Sequence, residues 1–115
     1  MTKPAPVFSL LANTVRPNFL TECLDDIEQT KDYIAAYSPS AADKFVDGIF
    51  NSVEKLLTFP EHGRTVPEIN RPAIREVFYR QYRIIYEVLP NGRIDVVMVQ
   101  SSRLPLDEGR LNRAT

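Results

Sequence analysis

The chain has 115 residues, of which 43% are hydrophobic and 25% are charged. This length suits one globular domain rather than two. The longest N-terminal apolar run is too short to span a membrane, and it lacks the basic flank and small-residue cleavage site of a secretory signal. A single cysteine, Cys23, excludes an internal disulfide and favours a reducing compartment. We therefore expect one soluble cytoplasmic domain over residues 1–115, with residues 1–6 and 105–115 as loose tails.

The charges are distributed unevenly along the chain. Residues 1–62 carry five Lys or Arg and nine Asp or Glu, whereas residues 63–115 carry nine Arg, no Lys and six Asp or Glu. An all-arginine basic half suggests bidentate contacts with carboxylates or phosphates. An ordinary solvated surface is the alternative.

The N-terminal half predicts a short strand and then a helix. The segment "PVFSLLA" (Pro6–Ala12) is typical of a short strand or of an extended lead-in, and Pro17 suits a helix start, with Asn18 as an alternative cap. Apolar side chains then recur at steps of three and four residues, as on one face of a helix. They are Leu20, Cys23, Leu24, Ile27, Ile34 and Tyr37.

A second helix follows the segment "YSPSAADKF". Ser38 can cap it with Pro39 in the first turn, or Ser40 and Asp43 can form a capping box. Pro60 ends the helix, and its apolar stripe consists of Ala42, Phe45, Ile49, Val53, Leu56 and Leu57. Because the joint is so short, the two helices should form an antiparallel hairpin that buries both stripes.

The C-terminal half predicts three antiparallel strands. The segments "IREVFY", "YRIIYEVL" and "IDVVMVQS" are rich in β-branched and aromatic residues. Asn91-Gly92 is a strong hairpin signal between the last two, and Arg80-Gln81 is taken as a tight turn between the first two. The expected fold is α+β: a short N-terminal strand and an antiparallel helical hairpin packed on a three- to four-stranded, mainly antiparallel sheet.

These turns divide the strand residues between two faces of the sheet. A two-residue turn at Asn91-Gly92 places Tyr86 opposite Val97 and Ile84 opposite Val99. The helix-facing set is then Val77, Tyr79, Tyr82, Ile84, Tyr86, Val88, Val97 and Val99. The second set is Glu76, Phe78, Arg83, Ile85, Glu87, Val96, Met98 and Gln100.

The second face mixes apolar and charged groups around Arg83, with Phe78 on one side and Gln100 on the other. Such a face, left open, is expected to bind a partner. The alternative is that the C-terminal tail folds over it. Arg83 has an alternative too, which is internal pairing with Glu76 or Glu87.

Enzyme chemistry has little support in the sequence. His62 is the only histidine, and it lies in a loop between strong helix breakers. With one cysteine and one histidine we expect no metal site, and no glycine-rich phosphate loop is present. We expect no cofactor.

Three segments nevertheless resemble a known family. "FPEHGRTVPEI", "IREVFYRQYRIIYEV" and "IDVVMVQSSR" are similar to the RelE/ParE toxin superfamily, above all its ParE, plasmid-stabilisation branch. The resemblance covers roughly residues 7–104 and implies the same order of helices and strands. It also implies a bacterial, cytoplasmic toxin of a type II toxin–antitoxin system.

The activities of the superfamily differ between its branches. RelE-like members cleave mRNA on the ribosome, and here Arg64, Arg83 and Arg103 would hold phosphate. However, no Tyr or His follows Tyr86, and Gln100 stands where relatives often carry histidine. Because glutamine exchanges no proton near neutral pH, general acid–base catalysis lacks an agent, and we expect no catalytic residue.

The resemblance therefore favours the ParE-like activity, which traps DNA gyrase on cleaved DNA and blocks replication. The alternatives are a ribosome-dependent mRNA endonuclease and an inactive relative that only binds an antitoxin. A small, partly disordered antitoxin with an acidic or amphipathic segment is the implied partner, in a toxin–antitoxin hetero-oligomer. Residues expected to bind the target or the antitoxin are Arg83, Arg103, Phe78, Gln100, Met98 and Ile85.

Overall fold

A computed structural model describes residues 17–115. Its elements are β1 (Asn18–Phe19), α1 (Thr21–Ala35), α2 (Pro39–Glu54), a 3-10 turn (Lys55–Leu57), β2 (Arg64–Thr65), β3 (Ile74–Tyr79), β4 (Tyr82–Val88), β5 (Ile94–Ser101) and α3 (Glu108–Ala114). The helices and the sheet form an α+β fold, as the sequence predicts. No helix among the described residues is long and apolar enough to cross a membrane.

The helix boundaries follow local capping chemistry. At the start of α2 the Ser38 hydroxyl accepts a hydrogen bond from the Ala41 N–H at 3.2 Å, and Pro39 occupies the first turn. This confirms the Ser38 cap over the Ser40 alternative. The predicted start of α1 at Pro17 is wrong, because the chain there is extended and the helix begins only at Thr21.

The sheet has five strands in the order β1-β5-β4-β3-β2. β1 runs parallel to β5 with Asn18 beside Asp95, and the other neighbours are antiparallel. β1 and β2 have two residues each, which is too short for a pattern of alternation, so the sequence indicates neither strand. The strand predicted at Pro6–Ala12 lies outside the described residues.

The two hairpin turns differ in how well the sequence predicts them. Tyr79 pairs with Tyr82 across Arg80-Gln81, which confirms the two-residue turn. At the other hairpin the Leu89 N–H donates to the Arg93 carbonyl at 2.8 Å, and Gly92 has φ +83°. The loop therefore has three residues rather than two, with glycine at the position that needs positive φ.

This longer loop shifts the register of β4 against β5 by one residue, and a bulge restores it. Val96, not Val97, lies opposite Tyr86, whereas Ile84 faces Val99 as predicted. The shift occurs between Ile85 and Tyr86. The shift reverses the sides of the sheet predicted for two residues: Val96 packs against the helices, and Val97 belongs to the second face.

The sheet separates two cores. The larger lies between the helical hairpin and the sheet, and its buried members are Cys23, Ile27, Phe45, Ile49, Val53, Leu56, Ile84, Tyr86, Ile94, Val96 and Val99. The smaller lies on the second face and consists of Val66, Ile74, Ile85, Val97, Met98 and Leu111. Both helix stripes predicted from the sequence contribute to the larger core, but the expectation is wrong for Leu24 and Tyr37 of the first stripe, which are exposed.

The C-terminal segment covers the part of the second face that holds the smaller core. The Asp107 side chain caps α3, and Leu111 is fully buried in the smaller core. Arg110 anchors the helix by a bidentate contact with Asp26 of α1, at 2.7 and 2.8 Å. The prediction of a loose tail over residues 105–115 is wrong, and the alternative that the tail folds over the sheet is confirmed.

Candidate functional site

The candidate site is a row of three side chains on the second face, at the end of the sheet near the Arg80-Gln81 turn. Phe78 of β3 pairs with Arg83 of β4, and Arg83 pairs with Gln100 of β5. We call these residues the central row. Strand alternation and the Arg80-Gln81 turn place them side by side, as the sequence predicts. The smaller core lies directly below them.

Arg83 at the middle of the row is paired inside the molecule. Its guanidinium lies 2.6 Å from the Glu76 carboxylate and makes two further contacts with Glu68, at 2.8 and 3.0 Å. Arg83 is only 7% exposed and Glu76 1%. The internal pairing with Glu76 that the sequence leaves open is therefore present. Glu87, the other expected partner, makes no ion pair with Arg83, and Glu68 from the preceding loop takes its place.

These contacts set the ionisation of the site. The hydrogen bond from Arg83 lowers the pKa of Glu68 from 4.5 to about 2. The same bond to Glu68 raises the pKa of Arg83 above its ordinary value, against the opposing effect of burial. The pair is consequently fully charged at neutral pH, and its charges cancel locally.

A second arginine extends this network to the molecular surface. Arg64 of β2 bonds the other Glu76 oxygen at 2.7 Å, while its own side chain remains 61% exposed. Its guanidinium lies 5.3 Å from the centre of the Phe78 ring, within the range of a cation–π contact. Phe78 is 46% exposed. Arg64 and Phe78 thus form the accessible end of the central row.

The other end of the row is attached to the C-terminal segment. The Gln100 amide nitrogen donates to the Pro105 carbonyl at 2.5 Å, and its oxygen accepts from the Asp107 N–H at 3.3 Å. Arg103 is exposed, and its backbone N–H donates to the Ser101 hydroxyl at 3.3 Å. Gln100 therefore positions the start of α3, and Arg103 presents its side chain to solvent.

The remaining predicted binding residues are covered. Ile85 is fully buried and Met98 is 1% exposed, both beneath Leu111 in the smaller core. The structure therefore gathers the six predicted site residues on or beside one face, but leaves only Phe78, Arg103 and part of Gln100 accessible. Ile85 and Met98 are therefore inaccessible in this arrangement of α3.

His62 lies away from the central row. It lines an open cavity of about 580 Å³ together with Phe59, Glu61 and Val88, and Val88 packs on the helix side of the sheet. The loop is held by the buried Tyr86 hydroxyl, which donates to Pro60 O at 2.7 Å and accepts from the Gly63 N–H at 2.9 Å. The sheet thus separates His62 from Arg83, and no acid–base pair forms between them.

A family model for the ParE toxin of the type II toxin–antitoxin system, parDE, matches residues 18–103. This chain belongs to the ParE toxin family. Among curated proteins none matches the sequence. In fold it is similar to a chain from a chromosomal ParDE TA system from P. aeruginosa, with a TM-score of 0.63 and 18% identity over 76% of this chain and 96% of that chain. The resemblance drawn from the sequence is confirmed.

The family match ends at Arg103, so the segment that forms α3 lies beyond the matched ParE core. Sequence reasoning missed this helix, although Asp107 before Glu108 is a normal helix start. It also missed Glu68 as the carboxylate for Arg83. That contact joins a loop to a strand, so no periodicity reveals it, and only the need of a buried arginine for carboxylates points to it.

The central row of this ParE chain presents charged, aromatic and amide groups that can bind a partner. Within the described residues the central row and its contacts comprise two arginines, two glutamates, a phenylalanine and a glutamine, and the arginines already bond the glutamates. Residues 17–115 contain no group of three or more His, Cys, Asp or Glu arranged to hold a metal ion. The exposed side chains of Arg64 and Phe78 are available for a carboxylate and an apolar side chain of a partner.

Proposed function

We propose that this ParE-family chain inhibits DNA gyrase, and hence replication, and that a cognate antitoxin neutralises it. The main observation in support is that Arg83 is already paired with carboxylates inside the molecule. An mRNA endonuclease needs cations free for a scissile phosphate and a residue that exchanges protons near neutral pH. Here the central arginine is held by two carboxylates, and its neighbours are Phe78 and Gln100.

The family supports the antitoxin half of this proposal, since ParE toxins belong to parDE pairs. The accessible end of the central row offers an antitoxin segment a suitable surface. Phe78 supplies an apolar ring, and Arg64 and Arg103 supply cations for acidic groups of the segment. An extended or helical segment that folds on binding suits such a mixed surface.

The test is an assay with purified components. We expect the chain to inhibit supercoiling by gyrase and to increase cleaved DNA, and the antitoxin encoded beside it to abolish both effects. In cells, expression of the chain alone should stop replication and induce DNA damage signalling while mRNA stays intact. Early cleavage of mRNA at the ribosome would instead establish the endonuclease alternative. Growth without arrest would establish an inactive relative.

A further inference from the structure

Four of the five tyrosines of the chain lie at one end of the molecule. Tyr33 and Tyr37 are at the end of α1, where the helical hairpin turns. Tyr79 and Tyr82 flank the Arg80-Gln81 turn of the strand hairpin. A cavity of about 200 Å³ joins the two hairpins, since Ile34 and Ala41 line it together with Tyr79, Arg80 and Tyr82. We call this region the tyrosine-rich end.

The helix tyrosines are among the most exposed large side chains of the described residues. Tyr33 is 68% and Tyr37 79% exposed, and their rings contact edge to face with centroids 5.6 Å apart. Both tyrosines are close in sequence to Ile34, which lines the cavity: Tyr33 directly precedes it, and Tyr37 follows it by three residues, just after the end of α1. Exposed aromatic groups of this kind cost little conformational entropy when they bind a partner.

Arg80 is the cation of this surface. Its backbone has φ +52°, a conformation in which glycine or asparagine is the usual residue. Its guanidinium lies 5.5 Å from the centre of the Tyr79 ring. Within residues 17–115 no carboxylate lies within ion-pair distance of it. A side chain kept in an unfavourable backbone conformation, at a cavity and without a carboxylate, is a sign of function.

We propose that the tyrosine-rich end is the surface on which this toxin binds its protein target, at a site that presents an apolar side chain beside a carboxylate. The cavity matches one apolar side chain, with Ile34, Phe45 and Tyr82 as its apolar walls. Arg80 at the edge supplies the charge for the carboxylate. This inference rests on the proposed function, because it names the surface through which gyrase is engaged.

The chemistry favours a protein over a nucleic acid. Binding to a phosphate backbone needs several cations along one surface, whereas among the described residues Arg80 is the one cation that lines this cavity. The surface is also separate from the central row. Tyr79 and Tyr82 pack on the helix side of the sheet, and the central row lies on the opposite side. Target and antitoxin would therefore contact different faces.

Two substitutions test the surface without disturbing the core. Arg80→Gly removes the guanidinium and places the preferred residue at a positive φ, so thermal stability should be equal or higher. Tyr37→Ala removes the more exposed of the two helix tyrosine rings, which is 79% exposed. Matched controls are Arg113→Ala, an exposed arginine on α3, and Phe59→Ala, a ring 66% exposed in the loop after α2.

Each variant is assayed for gyrase inhibition, for growth arrest and for binding to the antitoxin. We expect Arg80→Gly and Tyr37→Ala to lose about tenfold or more in gyrase inhibition and to lose growth arrest, with antitoxin binding unchanged. The controls should behave as the original chain. If both variants inhibit and kill as before, or lose antitoxin binding instead, the inference is overturned.

The remaining outcomes separate this inference from the proposed function. If the original chain arrests growth but does not inhibit gyrase, and the two variants abolish the arrest, gyrase is the wrong target and the surface assignment stands. If the original chain does not arrest growth, both proposals fail. If Arg80→Gly loses binding to a labelled oligonucleotide while gyrase inhibition persists, the surface binds nucleic acid and the inference is overturned.

Discussion

Arg83 and Glu76 form a buried ion pair on neighbouring strands, with the guanidinium 2.6 Å from a carboxylate that has no exposed side-chain surface. The two residues are diagonal rather than directly opposite, since Phe78 pairs with Arg83 and Ile85 pairs with Glu76. Glu76 lies directly beside Ile85, a member of the smaller core. A buried pair of this type is costly to break, because the remaining buried charge loses its closest buried partner.

We accordingly predict that Arg83→Ala is mainly a stability variant. It leaves Glu76 buried with only Arg64 to neutralise it, so the free energy of unfolding should fall by about 3–5 kcal/mol. Urea denaturation measures this change. The double variant Arg83→Met with Glu76→Leu should recover part of the loss, since it removes both charges. A single variant as stable as the original chain would contradict the burial of this pair.

The second prediction concerns the pH dependence of stability. The pKa of Glu68 falls from 4.5 to about 2 on folding, because Arg83 bonds the charged form. A lowered pKa contributes stability that is complete above pH 4.5 and is lost as the pH falls from there towards about 2. Glu68→Gln should therefore lower the melting temperature at neutral pH, and the difference from the original chain should shrink towards pH 2.

The matched control for this experiment is Glu28→Gln, an exposed carboxylate on α1. It should change the melting temperature little at any pH, because surface charges contribute little. A constant difference between Glu68→Gln and the original chain across the acid range would show that the Glu68 effect is not electrostatic.

The sequence predicts the helical hairpin and the three long strands because each has strong periodicity and clear end signals. The prediction fails where strand register depends on more than the local sequence pattern. The register of β5 depends on a three-residue loop and a bulge, and together they exchange the positions of Val96 and Val97. Neither feature changes the composition of the strand, so alternation alone cannot reveal it.

The candidate site shows the same limit. The central row follows from alternation and one tight turn, and it is correct. The exposure of these side chains depends on residues distant in sequence. α3 covers part of the face, and the loop at Glu68 supplies one of the carboxylates that bond Arg83. A mixed face on a small domain indicates that something covers it, but the sequence does not decide between a partner and the chain's own C-terminus.

The third prediction tests whether α3 packs over the smaller core. Leu111→Ala removes the one fully buried side chain of α3 from contact with Ile85, Val97 and Met98. We expect a loss of about 2–5 kcal/mol, as for other buried leucines. Leu104→Ala is the control, since Leu104 is 59% exposed and should change stability by less than about 0.5 kcal/mol. Equal effects at both positions would mean that α3 does not pack on the sheet.

The fourth prediction concerns Cys23. The thiol is fully buried on α1, and burial, with a further contribution from Asp26, raises its pKa to about 12. Because the thiolate is the reactive form, a thiol reagent should label the native chain far more slowly than the unfolded chain in urea. Native labelling as fast as in urea would contradict the predicted place of Cys23 in the larger core.

The last prediction separates Arg103 from Arg83. Arg103 follows β5, is exposed, and its side chain makes no ion pair within the described residues. Arg103→Ala should therefore leave the melting temperature nearly unchanged, whereas Arg83→Ala lowers it. If Arg103 contacts the antitoxin, its loss should weaken antitoxin binding by about fivefold to thirtyfold, the usual range for a charged contact of 1–2 kcal/mol.

Calorimetric titration with the antitoxin measures that affinity, and Arg113→Ala is the control for the loss of one exposed arginine. The salt dependence adds a second criterion. A contact with an acidic segment weakens as ionic strength rises, so the affinities of Arg103→Ala and the original chain should converge in high salt. If Arg103→Ala binds the antitoxin and arrests growth as the original chain does, Arg103 contacts neither partner, and the antitoxin surface is confined to Phe78 and Arg64.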